Sequence, residues 1–199
     1  MRTSGWILLS LVAALASGCS VRDPRFSEQT VYLGGHRSVP EPQRANFDNV
    51  SYWDGDGVNG DPLIRIALGE QKAYFYKGGE LVGISAISSG REEFKTPSGR
   101  YKIIQKSKDH KSNLYGNYVD ANGNIIQKDV DVKKDPKPPG ARFDGASMPY
   151  FLRVVGGIGM HEGFLPGYPA SHGCIRMPGF MAEAFFRSVK TGTPVEITH

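Results

Sequence analysis

Residues 63–87 read LIRIALGEQKAYFYKGGELVGISAI, and three strands with their turns can be marked off in them. Leu63 to Leu68 has the period-two character of a half-buried strand. Gly69 to Gln71 turn the chain, and Ala73 to Lys77 is a second strand. Gly78-Gly79 is a tight-turn signal, and Glu80 to Ile87 is a third strand. Three short strands joined by tight turns make an antiparallel meander, and that decides for a mostly β domain.

Downstream, Ser88-Ser89-Gly90 breaks the third strand, Thr96-Pro97-Ser98-Gly99 is another turn, and Arg100 to Gln105 is a fourth strand. Residues 106 to 147 are polar and read as loop-rich, with a hairpin over Val119 to Ile126 around Asn122-Gly123. The spacing Asp120-x-Asn122-x-Asn124 is that of a calcium loop without its distal Glu, so no metal is assigned. Lys133 to Gly140 (KKDPKPPG) is a basic, proline-rich loop of the kind often used functionally. Tyr150 to Val155 and Gly159 to His161 read as strands. Phe180, Met181, Ala184, Phe185 and Val189 recur at helical spacing, with Gly192 beyond as a stop. Pro194 to Ile197 closes the chain as a last strand. With 25 Gly and 13 Pro in 199 residues, nearly one residue in five breaks regular structure, which excludes a helical bundle. The net charge of +4 comes with no dense Lys/Arg run, so a nucleic-acid groove is excluded too.

Upstream, residues 19–60 read as a tether, with Pro24, Pro40, Pro42 and Asp54-Gly55-Asp56-Gly57, and Phe47, Val50, Tyr52 and Trp53 are expected to dock on the domain at 61–199. Residues 1–18 read as a signal peptide: Arg2, then the apolar run Trp6 to Ala16. That run is too short for a spanning helix, which needs about 20 residues, and falls within the roughly 7–15 of a signal core. Ala16-Ser17-Gly18-Cys19 then resembles a bacterial lipobox, although that pattern prefers Leu where Ala16 stands. The resemblance implies lipidation at Cys19, and Ser20 implies an outer-membrane lipoprotein facing the periplasm. Cys174 is then the one remaining thiol in an oxidising setting, where it must be buried or used.

His161, Ser171, His172, Gly173, Cys174 and Arg176 fall within sixteen positions. Cysteine is a strong nucleophile as thiolate, an imidazole can take its proton, and glycine lets a substrate carbonyl approach backbone N–H donors. That set suits acyl transfer through a thioester. A buried thiol, a core histidine and turn glycines would give the same residue types.

The whole string is more specific. Ser171-His172-Gly173-Cys174-Ile175-Arg176, preceded by His161 and Gly163, resembles the signature of the L,D-transpeptidase (YkuD-type) catalytic domain. Leu63 to Ile87, Thr96-Pro97-Ser98-Gly99, Met148-Pro149-Tyr150 and Gly157-Ile158-Gly159-Met160-His161 are also similar to that family. The resemblance implies an L,D-transpeptidase-like β-sandwich or barrel with one main amphipathic helix. It implies a peptidoglycan substrate: cysteine attacks the third-residue carbonyl of a tetrapeptide stem, D-alanine leaves, and the acyl group passes to an amine. It makes Cys174 the nucleophile, His161 the general base and the Glu162 carbonyl its orienter. The Glu162 side chain is expected on the opposite face of the strand. Backbone N–H groups around His172 to Cys174 become oxyanion candidates, Ser171, His172, Gly173, Arg176 and Tyr150 substrate-side candidates, and Gly163 to Ala170 a wall of the cleft. Carbapenem-type inhibitors are expected to acylate the thiol. No cofactor or metal is implied, and no feature indicates an oligomer, so a monomer is expected.

His172 and Cys174 would share a face of an extended segment, whereas His161 would face the sulfur from another segment and depress the thiol pKa. Water as acceptor would make a carboxypeptidase or hydrolase instead, and a non-catalytic wall-binding lipoprotein is a further alternative. A sortase-like enzyme lacks its far-upstream His and its Thr-Leu-x-Thr strand here. A zinc site on His161, His172 and Cys174 falls short of four ligands.

Overall fold

The structure is a computed structural model that describes residues 48–199; the expected signal peptide at 1–18, Cys19 and Phe47 lie outside the described residues. In chain order the elements are β1 (Tyr52–Trp53), β2 (Pro62–Ala67), β3 (Lys72–Lys77), β4 (Glu80–Ala86), β5 (Gly99–Lys102), β6 (Gln105–Val119), β7 (Ile125–Asp131), β8 (Arg142–Val155), β9 (Ile158–Glu162), β10 (Ile175–Met177), α1 (Gly179–Ser188) and β11 (Pro194–Thr198). They form a six-stranded sheet, ordered β1-β4-β3-β2-β11-β5, and a five-stranded sheet, ordered β10-β9-β8-β6-β7.

The period-two pattern of the opening meander is what the first sheet uses. Ile64 pairs with Phe75 on one side and Val195 on the other, and Ile66 with Ala73 and Ile197. All six are buried, so two apolar rows cross the sheet on one face. The C-terminal strand is thus inserted between β2 and β5 rather than left at an edge. The same core takes Leu152, Val154, Met160, Ile175 and Met177 from the second sheet and Met181, Ala182 and Phe185 from α1. Phe185 packs edge-on to Phe75, ring centroids 4.8 Å apart, and Trp53 of β1 joins Phe75 at 5.0 Å. Tyr52–Trp53 is therefore docked as an edge strand on β4.

Two expectations are corrected. Residues 106–147 are not mainly loop: they hold most of β6, all of β7 and part of β8. Their polarity has a physical cause. Much of β6 carries exposed side chains, so its ladder is held by backbone pairing to β8 and leaves no apolar period. Where the register shifts, the strands approach closely: a Cβ on Gly116 would stand 2.2 Å from the Asp144 carbonyl oxygen, and one on Gly145 1.9 Å from that of Ser112. Further along, Tyr118, Val130 and Ala141 make a small separate core. The turn at Asp120–Asn124 falls where the Asn122-Gly123 signal put it, with the Asp120 carboxylate accepting the N–H groups of Asn122 and Asn124 at 2.8 Å each. The second correction is Phe180. It lies on the helix but is 53% exposed, and the buried face is Met181, Ala182, Ala184 and Phe185.

Candidate active site

The site forms where the two strands carrying the histidine and leading from the cysteine lie side by side. β10 pairs parallel with β9, Ile175 opposite Met160 and Arg176 opposite His161. Cys174 is the residue before the first paired position of β10. Opposed residues of a parallel pair share a face, as do residues two apart on one strand. His161, Arg176 and Gly159 therefore project from the same side of the sheet, and Cys174 immediately precedes β10 on that edge of the site.

The thiol stands over the β8–β9 turn. Its S–H points to the Gly157 carbonyl oxygen with sulfur 3.7 Å away, and the Gly159 N–H hydrogen-bonds to the sulfur. Burial pushes the thiol pKa up; the Gly159 N–H, Arg153 and Arg176 pull the other way without reversing it. The Cys174 side chain is thus held as a protonated thiol at neutral pH. This corrects the expectation of a depressed thiol pKa.

His161 is 6% exposed. Its Nδ1 lies 2.6 Å from the Glu162 carbonyl oxygen, which can only accept, so the proton sits on Nδ1 and Nε2 carries the lone pair. Burial, joined by Arg176 and His110, lowers its pKa to about 4 against the raising effect of that carbonyl. His161 is thus a neutral, oriented imidazole at neutral pH. A neutral ring brings no positive charge to the thiol, so it does not offset the burial that raises the cysteine pKa. The Glu162 carboxylate lies by the first residue of α1: a Cβ on Gly179 would be 3.1 Å from its Oε1.

His172 is placed differently from the sequence expectation. Residues 171–174 are not extended strand, and Gly173 has φ +102°, a value that favours glycine. That turn takes His172 away to a separate cluster. Its ring stacks on Tyr115 of β6 at 4.4 Å and meets Phe94 edge-on at 4.6 Å. Its Nε2 lies 3.0 Å from Arg91 Nη2, and a guanidinium only donates, so this imidazole is also neutral with its proton on Nδ1. Burial first, then Arg91 and Arg176, lower its pKa. Among the described residues no group of three or more His, Cys, Asp or Glu side chains is placed to hold a metal ion.

The cysteine loop is stitched to residues 88–96. Ser88 and Arg176 exchange both backbone hydrogen bonds at 3.0 Å, Ser171 N–H donates to the Ser89 carbonyl at 3.0 Å, and Arg91 N–H donates to that of Ser171 at 3.0 Å. The Gln71 side chain clamps Ser89, accepting its N–H at 2.9 Å and donating to its hydroxyl at 2.8 Å. Ser171, itself buried, accepts the Gly173 N–H at 3.1 Å and donates to the Cys174 carbonyl. The approach is so close that a Cβ on Gly90 would lie 2.0 Å from the Phe94 carbonyl oxygen and 2.9 Å from Gly173 Cα.

Of the remaining candidates, Arg176 runs its side chain across Gly163, whose added Cβ would touch it at 2.9 Å. Tyr150 packs its ring on Phe186 of α1 at 5.8 Å, and none of the ring pairs it makes includes His161 or His172. The 163–170 segment is anchored by buried Leu165 and by Ser88 Oγ donating to the Tyr168 carbonyl at 2.8 Å. Sequence reading gave no role to Arg91, Phe94, Tyr115 or Arg153. No local signal marks the first three, because they reach His172 only through pairing of distant segments. Arg153 pairs with Gly159, whose backbone the thiol meets, and its Nε donates to Gln105 Oε1 at 2.7 Å.

The L,D-transpeptidase catalytic domain model (YkuD) matches residues 61–197. No curated protein matches the chain. Among solved structures, the chain is similar to the L,D-transpeptidase LdtMt1 in complex with imipenem, with 18% identity and a TM-score of 0.51 over 69% of this chain and 58% of that one. It is similar to the Ldtfm-avibactam carbamoyl enzyme, with 24% identity and 0.52 over 70% and 49%. It is also similar to an L,D-transpeptidase from Xylanimonas cellulosilytica, with 21% identity and 0.52 over 71% and 62%. At these identities the likeness is one of fold, and the chain spans between 49% and 62% of the length of these three.

Proposed function

The chain belongs to the L,D-transpeptidase (YkuD) catalytic domain family, and on that premise we propose that it is a cysteine acyltransferase acting on peptidoglycan stem peptides. The observation that carries the reading is the His161 imidazole, held neutral with Nδ1–H on the Glu162 carbonyl and Nε2 free of that bond, two residues along β9 from the Gly159 backbone that the Cys174 thiol meets. In the first half-reaction His161 Nε2 takes the thiol proton as sulfur attacks the third-residue carbonyl carbon of a tetrapeptide. The carbonyl oxygen becomes an oxyanion. Gly173 N–H is engaged by Ser171, so the N–H groups of His172 and Cys174 are the donors assigned to it. The tetrahedral adduct collapses, the C–N bond breaks, and the imidazolium returns its proton to the leaving D-alanine amine. In the second half-reaction an amine attacks the thioester, gives its proton to His161, and the thiol is regenerated. A raised thiol pKa fits a proton transfer coupled to attack rather than a standing thiolate.

Arg153 and Arg176 give the thiol's surroundings positive charge, which suits a substrate rich in carboxylates. Export and lipid anchoring through Cys19 belong to the same proposal. Cys19→Ala should then move the protein from the membrane to the soluble exported fraction; a wild type already soluble, with an unmodified N-terminus, would refute the anchor. Intact mass after exposure to a carbapenem tests the nucleophile. Ring opening expels no leaving group, so wild type should gain one whole inhibitor and Cys174→Ala none. An adduct on the alanine variant would place the nucleophile elsewhere. Product analysis with purified tetrapeptide stems tests the transfer, since cross-linked or amine-exchanged products require an amine acceptor and tripeptide alone means water.

A further inference from the structure

We infer that Thr96 is a positioning residue of the oxyanion site, its hydroxyl fixing the plane of the Gly173–Cys174 peptide and so aiming the Cys174 N–H. The inference rests on the acyl-transfer reading above. Thr96 is 3% exposed, so no bulk water substitutes for its hydroxyl. Oγ1 accepts the Gly90 N–H at 3.0 Å, and its single proton goes to the Gly173 carbonyl oxygen at 2.8 Å. The carbonyl of residue 173 and the N–H of residue 174 belong to one planar trans unit and point in opposite directions. Holding the carbonyl inward on Thr96 therefore turns the N–H away from Thr96.

This peptide needs a pin because of the residue before it. Gly173 has φ +102° and no Cβ, so a crankshaft rotation of the following peptide meets little steric resistance. Such a flip would present a carbonyl oxygen, not an N–H, to the developing oxyanion. Ser171 secures the neighbouring units, accepting the Gly173 N–H and donating to the Cys174 carbonyl, but it touches neither end of the peptide between them. Thr96 is the side chain that does. The hydroxyl is itself held in place: Pro97 disfavours helical backbone at Thr96, and the Gly90 N–H that it accepts comes from the segment stitched to Ser171.

The test separates the aim of an N–H from the reactivity of a thiol. Carbapenem acylation needs both, whereas alkylation by iodoacetamide needs no oxyanion donor. Thr96→Val, which keeps the shape and deletes the hydroxyl, should slow acylation by about 10- to 100-fold, less than the full loss of an oxyanion donor. Alkylation should stay within about twofold of wild type by the same reasoning, and Thr96→Ser should restore acylation. The Cys174 amide resonance should move in Thr96→Val and hold in Thr96→Ser. Wild-type acylation by folded Thr96→Val overturns the inference, and so do parallel losses in acylation and alkylation. Should Thr96→Val not fold, Thr96→Ala deletes the same hydroxyl without a second methyl and is judged by the same rates. If wild type alkylates but is not acylated, the acyl-transfer reading fails, and the amide resonance still decides whether Thr96 fixes the peptide.

Discussion

Replacing His161 by glutamine should make the protein less sensitive to mild acid while destroying its activity. The imidazole is 6% exposed, and its pKa falls from the ordinary 6.5 to about 4, first through burial and then through Arg176 and His110. The folded state therefore binds this proton less tightly than the unfolded chain. The stability that His161 contributes is complete above about pH 6.5 and is lost as pH falls towards 4. A shift of this size corresponds to about 3 kcal/mol in all, of which about 1 is lost by pH 5.5 and roughly 2 to 3 by pH 4.5. Urea unfolding of wild type and His161→Gln at pH 7.5, 5.5 and 4.5 measures it. Carboxylates and the other histidines titrate in both proteins, so the difference between the two curves isolates residue 161. The wild type should lose the larger part, at a slope approaching about 1.4 kcal/mol per pH unit between those pKa values.

The same shift fixes the acid limb of the reaction. A base that stays neutral down to about pH 4 should keep acylation running well below the pH at which an ordinary histidine is half protonated. Equal acid destabilisation of wild type and His161→Gln, together with an acid limb near 6.5, would refute the reasoning. Either the ring would then be solvated or it would not be the base.

Three further outcomes follow from the same geometry. The alkylation midpoint of Cys174 should lie above the roughly 8.5 of an ordinary thiol, because burial outweighs its donors and arginines; a midpoint below that value would restore the thiolate–imidazolium picture. Gly90→Ala sets a Cβ against the Phe94 carbonyl and Gly173 Cα, and should lower stability by about 1–3 kcal/mol and depress acylation further than that loss explains, measured per folded molecule. Arg91→Met removes the donor to His172 Nε2 and a nearby positive charge, so the His172 pKa should rise in an NMR titration while that of His161 holds.

How much of this was legible depended on whether a signal was local. The meander of β2 to β4 was plain because one face of each strand enters the core, and alternation records burial directly. β6 and the first part of β8 were not, because strands of half-buried and exposed side chains show no apolar period and their pairing leaves no mark on composition, whereas the buried end of β8 reads as a strand at Tyr150 to Val155. Phe180 shows the converse limit. Helical spacing identifies the turns of α1, but the exposed side of a short helix can still carry an aromatic residue.

The active site divides along the same line. Cys174 and His161 stand out in the sequence because their residue types are rare in it and the Ser171–Arg176 string is contiguous. Their protonation was not legible, since it follows from how deeply β9 and β10 bury them and not from residue type. His172 shows what sequence distance hides. Two residues from Cys174, it would share its face on a strand, yet Gly173 at φ +102° ends the alternation and delivers the ring to Arg91, Phe94 and Tyr115. The two histidines then sit in different settings. His161 is oriented by a backbone carbonyl in the buried face of the sheet, and His172 accepts from an arginine in a half-buried aromatic cluster. Arg91 uses its side chain on His172 while its own N–H donates to the Ser171 carbonyl. One residue thus couples the position of the second imidazole to the cysteine loop, and a displacement of residues 88–96 disturbs both together.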